Sequence, residues 1–156
     1  MSDAASLERF ILDTIPLTRA IGLRVLEADD RALTLGAPLA PNVNDKGCAF
    51  GGSLASLLTL AGWGLVRLRL GAVAAASDIY VQDSTIRYTA PLWCDLRVRA
   101  ALAEGQSWQD FEQAFAARGR ARVQLVAAAL AEDGSAAATL EARFVALRRQ
   151  ESRHVA

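Results

Sequence analysis

Residues 44–53, Asn-Asp-Lys-Gly-Cys-Ala-Phe-Gly-Gly-Ser, set a carboxamide and a Gly-Gly pair immediately before a long apolar run. A carboxamide and the free N–H groups of a helix start are the parts that hold an oxyanion. Asn44 has two readings here. Its side chain can close a loop turn, or its amide can donate to an oxyanion, and its place before Gly51 and Gly52 favours the second. For the glycines the two readings agree, because a tight turn is what leaves N–H groups facing a substrate at the positive helix end. Ser53 reads as the N-cap rather than a nucleophile, since no base stands ready to activate it. Cys48 lacks a histidine partner for the same role. The single histidine, His154, is the third residue from the end of the sequence.

Two carboxylates stand near these residues in the pattern. Asp45 reads as a solvated neighbour of Lys46. Asp83 sits in an apolar and aromatic run, so it must pair or face a pocket; a partner such as Arg87 and a catalytic role remain equal alternatives. Lys46 reads as a loop charge or as a contact to a substrate carboxylate or phosphate. Ser56 reads as packing or backbone bonding, and Thr59 as a pocket wall. No group of His, Cys and carboxylates has metal spacing, and no nucleotide-type phosphate loop appears. No cofactor or metal is expected.

The elements that position these residues follow from periodicity. Residues 6–15 have helical apolar spacing and Pro16 closes them. Residues 22–27 and 31–35 read as a strand pair around Asp29-Asp30, and Pro38 and Pro41 open the loop. A helix follows over 53–70, with Gly71 as its stop. Its Gly62 and Gly64 each cost about 1 kcal/mol in a helix interior, which points to close packing. Residues 79–88 and 95–103 read as strands, Trp108, Phe111 and Phe115 as a short helix, and 120–131 with 136–147 as a hairpin turning at Asp133-Gly134. The alanine tracts in that hairpin are ambiguous with helix.

Composition bounds the rest. The chain has 156 residues, 53% of them hydrophobic, and a formal net charge of zero. One domain over 1–156 is expected, with its core at about 6–149 and a tail over 150–156. Zero net charge gives no reason to bind nucleic acid or an anionic membrane. The run over 54–66 is short for a bilayer and is followed by Arg67 and Arg69, so a core helix and no membrane insertion are expected. Two cysteines and no signal-like N-terminus fit the cytoplasm. The fold class is α+β, a curved antiparallel sheet around one long helix, and its exposed edge strand predicts dimerisation by strand pairing.

This order resembles the hot-dog fold, whose thioesterases often carry Asn-x-x-Gly-x-x-His-Gly-Gly. Asn44, Gly47, Gly51 and Gly52 fall on that pattern, and Phe50 replaces the histidine. Asn42 lies off the spacing and is the less favoured alternative. Residues 79–91 look like the family's central strand, closed by Tyr88-x-x-Pro91. The wording of 41–54, followed by Leu60-Ala61-Gly62-Trp63-Gly64, resembles the YiiD C-terminal-type thioesterase-like family, whose members are linked to malonyl-ACP decarboxylation. Thr59 stands where the general pattern has a catalytic Asp or Glu.

The resemblance implies an enzyme acting on thioesters of acyl carrier protein or CoA, as a homodimer or a tetramer built from it. Hydrolysis needs an activated water and hence a base. Decarboxylation of a malonyl thioester needs the enolate oxygen held, and the surviving Asn44, Gly51 and Gly52 match it best. Malonyl-ACP decarboxylation to acetyl-ACP, starting fatty acid synthesis, is the leading expectation; acyl-thioester hydrolysis with Asp45 or Asp83, and a non-catalytic acyl-binding module, are the alternatives. Asn42, Asp45, Lys46, Phe50, Ser53, Thr59 and Asp83 are the expected substrate contacts. An acidic carrier would be met by arginines at the pocket mouth, from among Arg67, Arg69, Arg87, Arg118, Arg120 and Arg122.

Overall fold

The computed structural model describes residues 4–150; His154 and residues 151–156 of the expected tail lie outside them. Helices α1 (Ala4–Thr14) and α2 (Leu17–Ile21) precede strands β1 (Arg24–Ala28) and β2 (Ala32–Ala37). Helix α3 (Gly51–Leu70) leads into β3 (Ser77–Tyr88), β4 (Leu96–Leu102), α4 (Trp108–Arg118), β5 (Arg120–Leu130) and β6 (Ala136–Arg148). Pro16 breaks the first helix as expected, but the chain re-enters helix at Leu17, which periodicity did not show. One six-stranded antiparallel sheet results, in the order β1-β2-β4-β5-β6-β3. This is the α+β hot-dog arrangement, with α3 against the inner face of the sheet.

Helix α3 is apolar on most of its circumference because the sheet wraps it. Leu57, Leu58, Ala61 and Val66 are fully buried, and a buried leucine of this kind contributes about 1.5–3 kcal/mol. By length and composition alone, Gly51–Ala76 could cross a membrane; its burial identifies it as the core helix. Gly62 and Gly64 are the contact points with the sheet. A Cβ on Gly62 would lie 2.6 Å from the Phe144 ring, and one on Gly64 2.6 Å from Leu33 Cδ2. The close packing inferred from their propensity cost is therefore packing on β6 and β2.

Strand β5 alternates exposed and buried residues along most of its length, which resolves its alanine tract as strand. At the hairpin tip Asp133 Oδ1 accepts from the Ser135 N–H at 2.9 Å and its hydroxyl at 2.6 Å, while Gly134 takes φ 81°. The hydroxyl and backbone donors of Ser135 hold the Asp133 carboxyl below its usual range. Helix α4 starts at Ser107, whose Oγ accepts from the Asp110 N–H at 3.2 Å, and ends at Gly119 in the left-handed region. Its Trp108, Phe111 and Phe115 are buried, as their spacing predicts.

Strand β3 forms one edge of the sheet. Nearly all of it is exposed or half-buried, with Tyr80 54%, Val81 41% and Tyr88 54% exposed. A bulge between Val81 and Asp83 resets its pleat. Before the bulge Val81 pairs with the buried Phe144; after it Asp83 pairs with the exposed Arg143. The bulge therefore turns Asp83 onto the outer face, away from α3.

Candidate oxyanion site

Backbone pairing folds the loop before α3 into a short hairpin. The Asn44 N–H donates to Cys48 O at 2.8 Å, the Gly47 N–H to Asn44 O at 3.1 Å, and Val43 bridges Ala49. Gly47 takes φ 85°, a turn conformation that favours glycine. The loop is tied down twice more, by Ala49 N–H to Leu92 O at 2.8 Å and Phe50 N–H to Asn42 O at 2.7 Å.

The Asn44 carboxamide is oriented by its neighbours. Its Oδ1 accepts from the Lys46 N–H at 2.9 Å, and its Nδ2 donates to Cys48 Sγ at 3.2 Å. The turn-closing reading therefore holds in this structure. It also fixes which end of the amide carries the donors. Sulfur is a weak acceptor, and it engages one Nδ2 hydrogen.

Helix α3 begins at Gly51, two residues earlier than expected. Phe50 is its N-cap residue, with extended ψ and no side-chain cap. Ser53 is therefore not the N-cap: it is the third helical residue, 8% exposed, and the glycine pair forms the first turn ahead of it. The N–H groups of Gly51, Gly52 and Ser53 thus open the helix without a side-chain acceptor among the described residues. The Phe50 ring folds back over Gly52, where a Cβ would lie 2.3 Å from Cε1, and is 54% exposed. An apolar wall thus stands beside the helix start.

The other expected contacts divide. Asn42 is a correction: it is 1% exposed, and Nδ2 donates inward to Ile21 O at 2.8 Å and Pro38 O at 2.7 Å. It anchors the loop instead of facing a ligand. Asp45 and Lys46 are exposed and pair with each other at 2.8 Å. Thr59 is half-buried on α3, and Ser56 donates to Gly52 O at 2.9 Å, the backbone bond expected of it. Trp63, one turn beyond Thr59, donates Nε1–H to Ile79 O at 3.1 Å, so this helix face borders β3.

Asp83 is the second correction. It lies on the outer face, 3.8 Å from Arg143, not beside Arg87 and not in a pocket. Two arginines are also reassigned. The Arg67 guanidinium lies 3.4 Å from the Phe10 ring centroid, and burial lowers its pKa. Arg69 Nε is 2.6 Å from Glu112 Oε1 as an ion pair, although its N–H does not point along the contact. Arg67 thus packs on α1 and Arg69 pairs with α4.

One contact was read from the sequence only as a strand end. Tyr88 lies on the inner face of β3, and its hydroxyl donates to Gly51 O at 3.2 Å. Its ring also approaches Gly51, where a Cβ would stand 3.4 Å from Cε1. The signal was Tyr88 in the closing Tyr88-x-x-Pro91, but only the folded sheet brings it to the helix start.

Comparison with known proteins follows this geometry. The family model described as "Putative thioesterase (yiiD_Cterm)" matches residues 4–148. A protein of unknown function from Chlorobaculum tepidum TLS is 28% identical, with 94% of each chain covered and a TM-score of 0.86. A "putative thioesterase" from Shewanella oneidensis is also 28% identical, covering 92% of this chain and 96% of its own, with a TM-score of 0.81. A Haemophilus influenzae thioesterase at 13% identity covers 99% and 96%, with a TM-score of 0.74, and shares the fold.

Proposed function

Because this chain belongs to the YiiD_C thioesterase-like family, we propose that it acts on acyl thioesters and that its reaction is decarboxylation of a malonyl thioester to an acetyl thioester, on acyl carrier protein or CoA. The observation that carries this reading is the composition of the helix start. Asn44, whose Nδ2 is engaged by the weak acceptor Cys48 Sγ, shortly precedes the uncapped Gly51 and Gly52 N–H groups in the chain, while Asp45 is spent on an exposed ion pair and Asp83 faces the opposite side of the sheet. Donors for an oxyanion are present, and a base for water is not at hand.

In the proposed step the bond between the carboxylate carbon and the α-carbon breaks, carbon dioxide leaves, and the electron pair becomes an enolate on the thioester oxygen. Asn44 and the glycine N–H groups hold that oxygen; each such donor is worth roughly 3–4 kcal/mol in comparable sites. The Phe50 ring keeps water from the reacting carboxylate. A proton from water then reaches the α-carbon, giving the acetyl thioester.

The working unit is a homodimer in this reading. Strand β3 offers a long exposed edge, and the half-exposed face of α3 with Ser56, Thr59 and Trp63 adjoins it. Pairing β3 with a second copy would cover both and enclose the helix start. The second reading is acyl-thioester hydrolysis, favoured by the family's description, with Asp45 released from Lys46 to direct water.

Intact-mass analysis of malonyl-ACP and malonyl-CoA after incubation separates the two. Acetyl-carrier without free thiol supports decarboxylation; free carrier thiol assigns hydrolysis and refutes it.

A further inference from the structure

Tyr88 makes a contact that the reaction described above leaves without a role. Its hydroxyl donates to Gly51 O at 3.2 Å. That carbonyl belongs to the same peptide unit as the Gly52 N–H, one of the donors assigned to the substrate oxygen. A carbonyl that accepts a hydrogen bond draws electron density from its own amide nitrogen, and the N–H becomes a stronger donor. The phenol therefore acts on the far end of a working donor without entering the site itself.

The phenol is anchored where this effect requires it. Tyr88 closes β3 opposite Ala138 on β6. Just beyond it, the Thr89 and Ala90 N–H groups both donate to Ala137 O, at 2.9 and 3.1 Å, and the Thr89 hydroxyl donates to Ala136 O at 3.0 Å. Further along, Leu92 O accepts the Ala49 N–H at 2.8 Å. Residues 88–92 thus grip the chain on both sides of Phe50, at Ala49 through the backbone and at Gly51 through the phenol. The ring lies against the same glycine, with Cε1 3.4 Å from where a Cβ would stand. The end of β3 therefore fixes where α3 begins and how its first peptide is oriented.

We propose that Tyr88 is a positioning residue of the thioester site: it holds the plane of the Gly51–Gly52 peptide and polarises the Gly52 N–H toward the substrate oxygen. The inference rests on the thioester reading. It applies to either reaction, since charge gathers on that oxygen in the enolate of decarboxylation and in the tetrahedral intermediate of hydrolysis. Strengthening of a donor by a neighbouring hydrogen bond is about 10–30%. Applied to a donor worth about 10²–10³-fold, this makes the phenol worth about two- to eightfold in rate. Because the charge develops only on the way to the transition state, the loss belongs in kcat and not in KM.

The experiment compares Tyr88→Phe, which keeps the ring, with wild type and with Tyr80→Phe, which removes the hydroxyl of an equally exposed tyrosine on the same strand. Turnover of malonyl-ACP and of acyl-CoA is followed by intact mass. In parallel, ¹⁵N-glycine labelling reads the glycine amides, with Gly52 assigned by its absence in Gly52→Ala. Tyr88→Phe is expected to lower kcat about two- to eightfold at unchanged KM and melting temperature. The Gly52 amide proton moves upfield while those of Gly62 and Gly64, deeper in α3, stay in place. Unchanged kcat, an unmoved Gly52 amide, or an equal loss with Tyr80→Phe overturns the proposal. A raised KM with lowered melting and shifted amides along α3 also overturns it, by showing that the phenol only supports the fold. Free carrier thiol as the product would remove the decarboxylase reading alone, and the same kcat comparison would then be made on hydrolysis. Turnover of no thioester by the wild type would overturn both.

Discussion

The Asn44 carboxamide nitrogen lies 3.2 Å from Cys48 Sγ, while its oxygen accepts the Lys46 N–H at 2.9 Å. One side chain thus shapes the loop with its acceptor and, in the proposed reaction, supplies a donor with its nitrogen, and a substitution can separate the two. Asn44→Asp keeps the acceptor for Lys46 and removes the donor. The expected outcome is native melting with kcat reduced by about 10²–10³-fold, the usual effect of deleting one oxyanion donor. Steady-state turnover by the Asp variant at near wild-type rate would remove Asn44 from the chemistry.

Gly62 touches a ring that cannot yield. Phe144 is fully buried and stands 2.6 Å from the position of a Cβ on Gly62. Gly62→Ala gains about 1 kcal/mol of helix propensity but overpacks the core, at a cost of about 1–3 kcal/mol. A net loss of stability is expected in urea unfolding. Gly52→Ala meets the exposed Phe50 ring instead, which can swing aside, so it should melt nearly normally while losing turnover.

Strand β3 should control assembly. Val81 points inward at the exposed edge, where a charge is a known barrier to strand pairing. Val81→Lys is expected to give a folded monomer with little activity. Sedimentation equilibrium decides this: a dimer that persists with Lys at this position would place the interface elsewhere.

Acid stability has one identifiable local source. Asp29 Oδ1 accepts the Arg31 and Ala32 N–H groups at 2.8 Å each, and these bonds, with a lesser contribution from Arg99, hold its pKa below the usual carboxylate range. A lowered folded pKa means the contribution is full above the unfolded value of about 3.9 and is lost as pH falls through the folded value. Asp29→Ala should therefore lower the melting temperature near neutral pH, with the gap to wild type narrowing on acidification below about pH 4. A gap that stayed constant into that range would assign the effect to something other than the carboxylate.

Turnover itself should respond little to pH. If Asn44 and backbone N–H groups are the working donors, none of them titrates between about pH 6 and 8. A flat kcat/KM profile with malonyl thioester is the expected result. A sigmoidal profile in this range would indicate a titrating base and favour hydrolysis.

The sequence by itself determined the elements and the loop. Helical and alternating periods reflect which side of each segment meets the core, so α3 and α4 were legible from spacing alone, whereas the alanine tracts of the β5–β6 hairpin were resolved as strand only by their pairing in the sheet. Asn44, Gly51 and Gly52 were readable as one turn-and-helix segment because they are close in sequence. Contacts set by register were not legible. The bulge after Val81 turned Asp83 outward, since one extra residue reverses every later side chain on a strand. Asn42 looked like a loop residue, but the chain folded back over it and used both amide hydrogens on Ile21 and Pro38. Tyr88 reached Gly51 only because the folded sheet carries β3 to the start of α3. Side-chain period is a local property of the chain; which face meets which partner is decided by pairing across it.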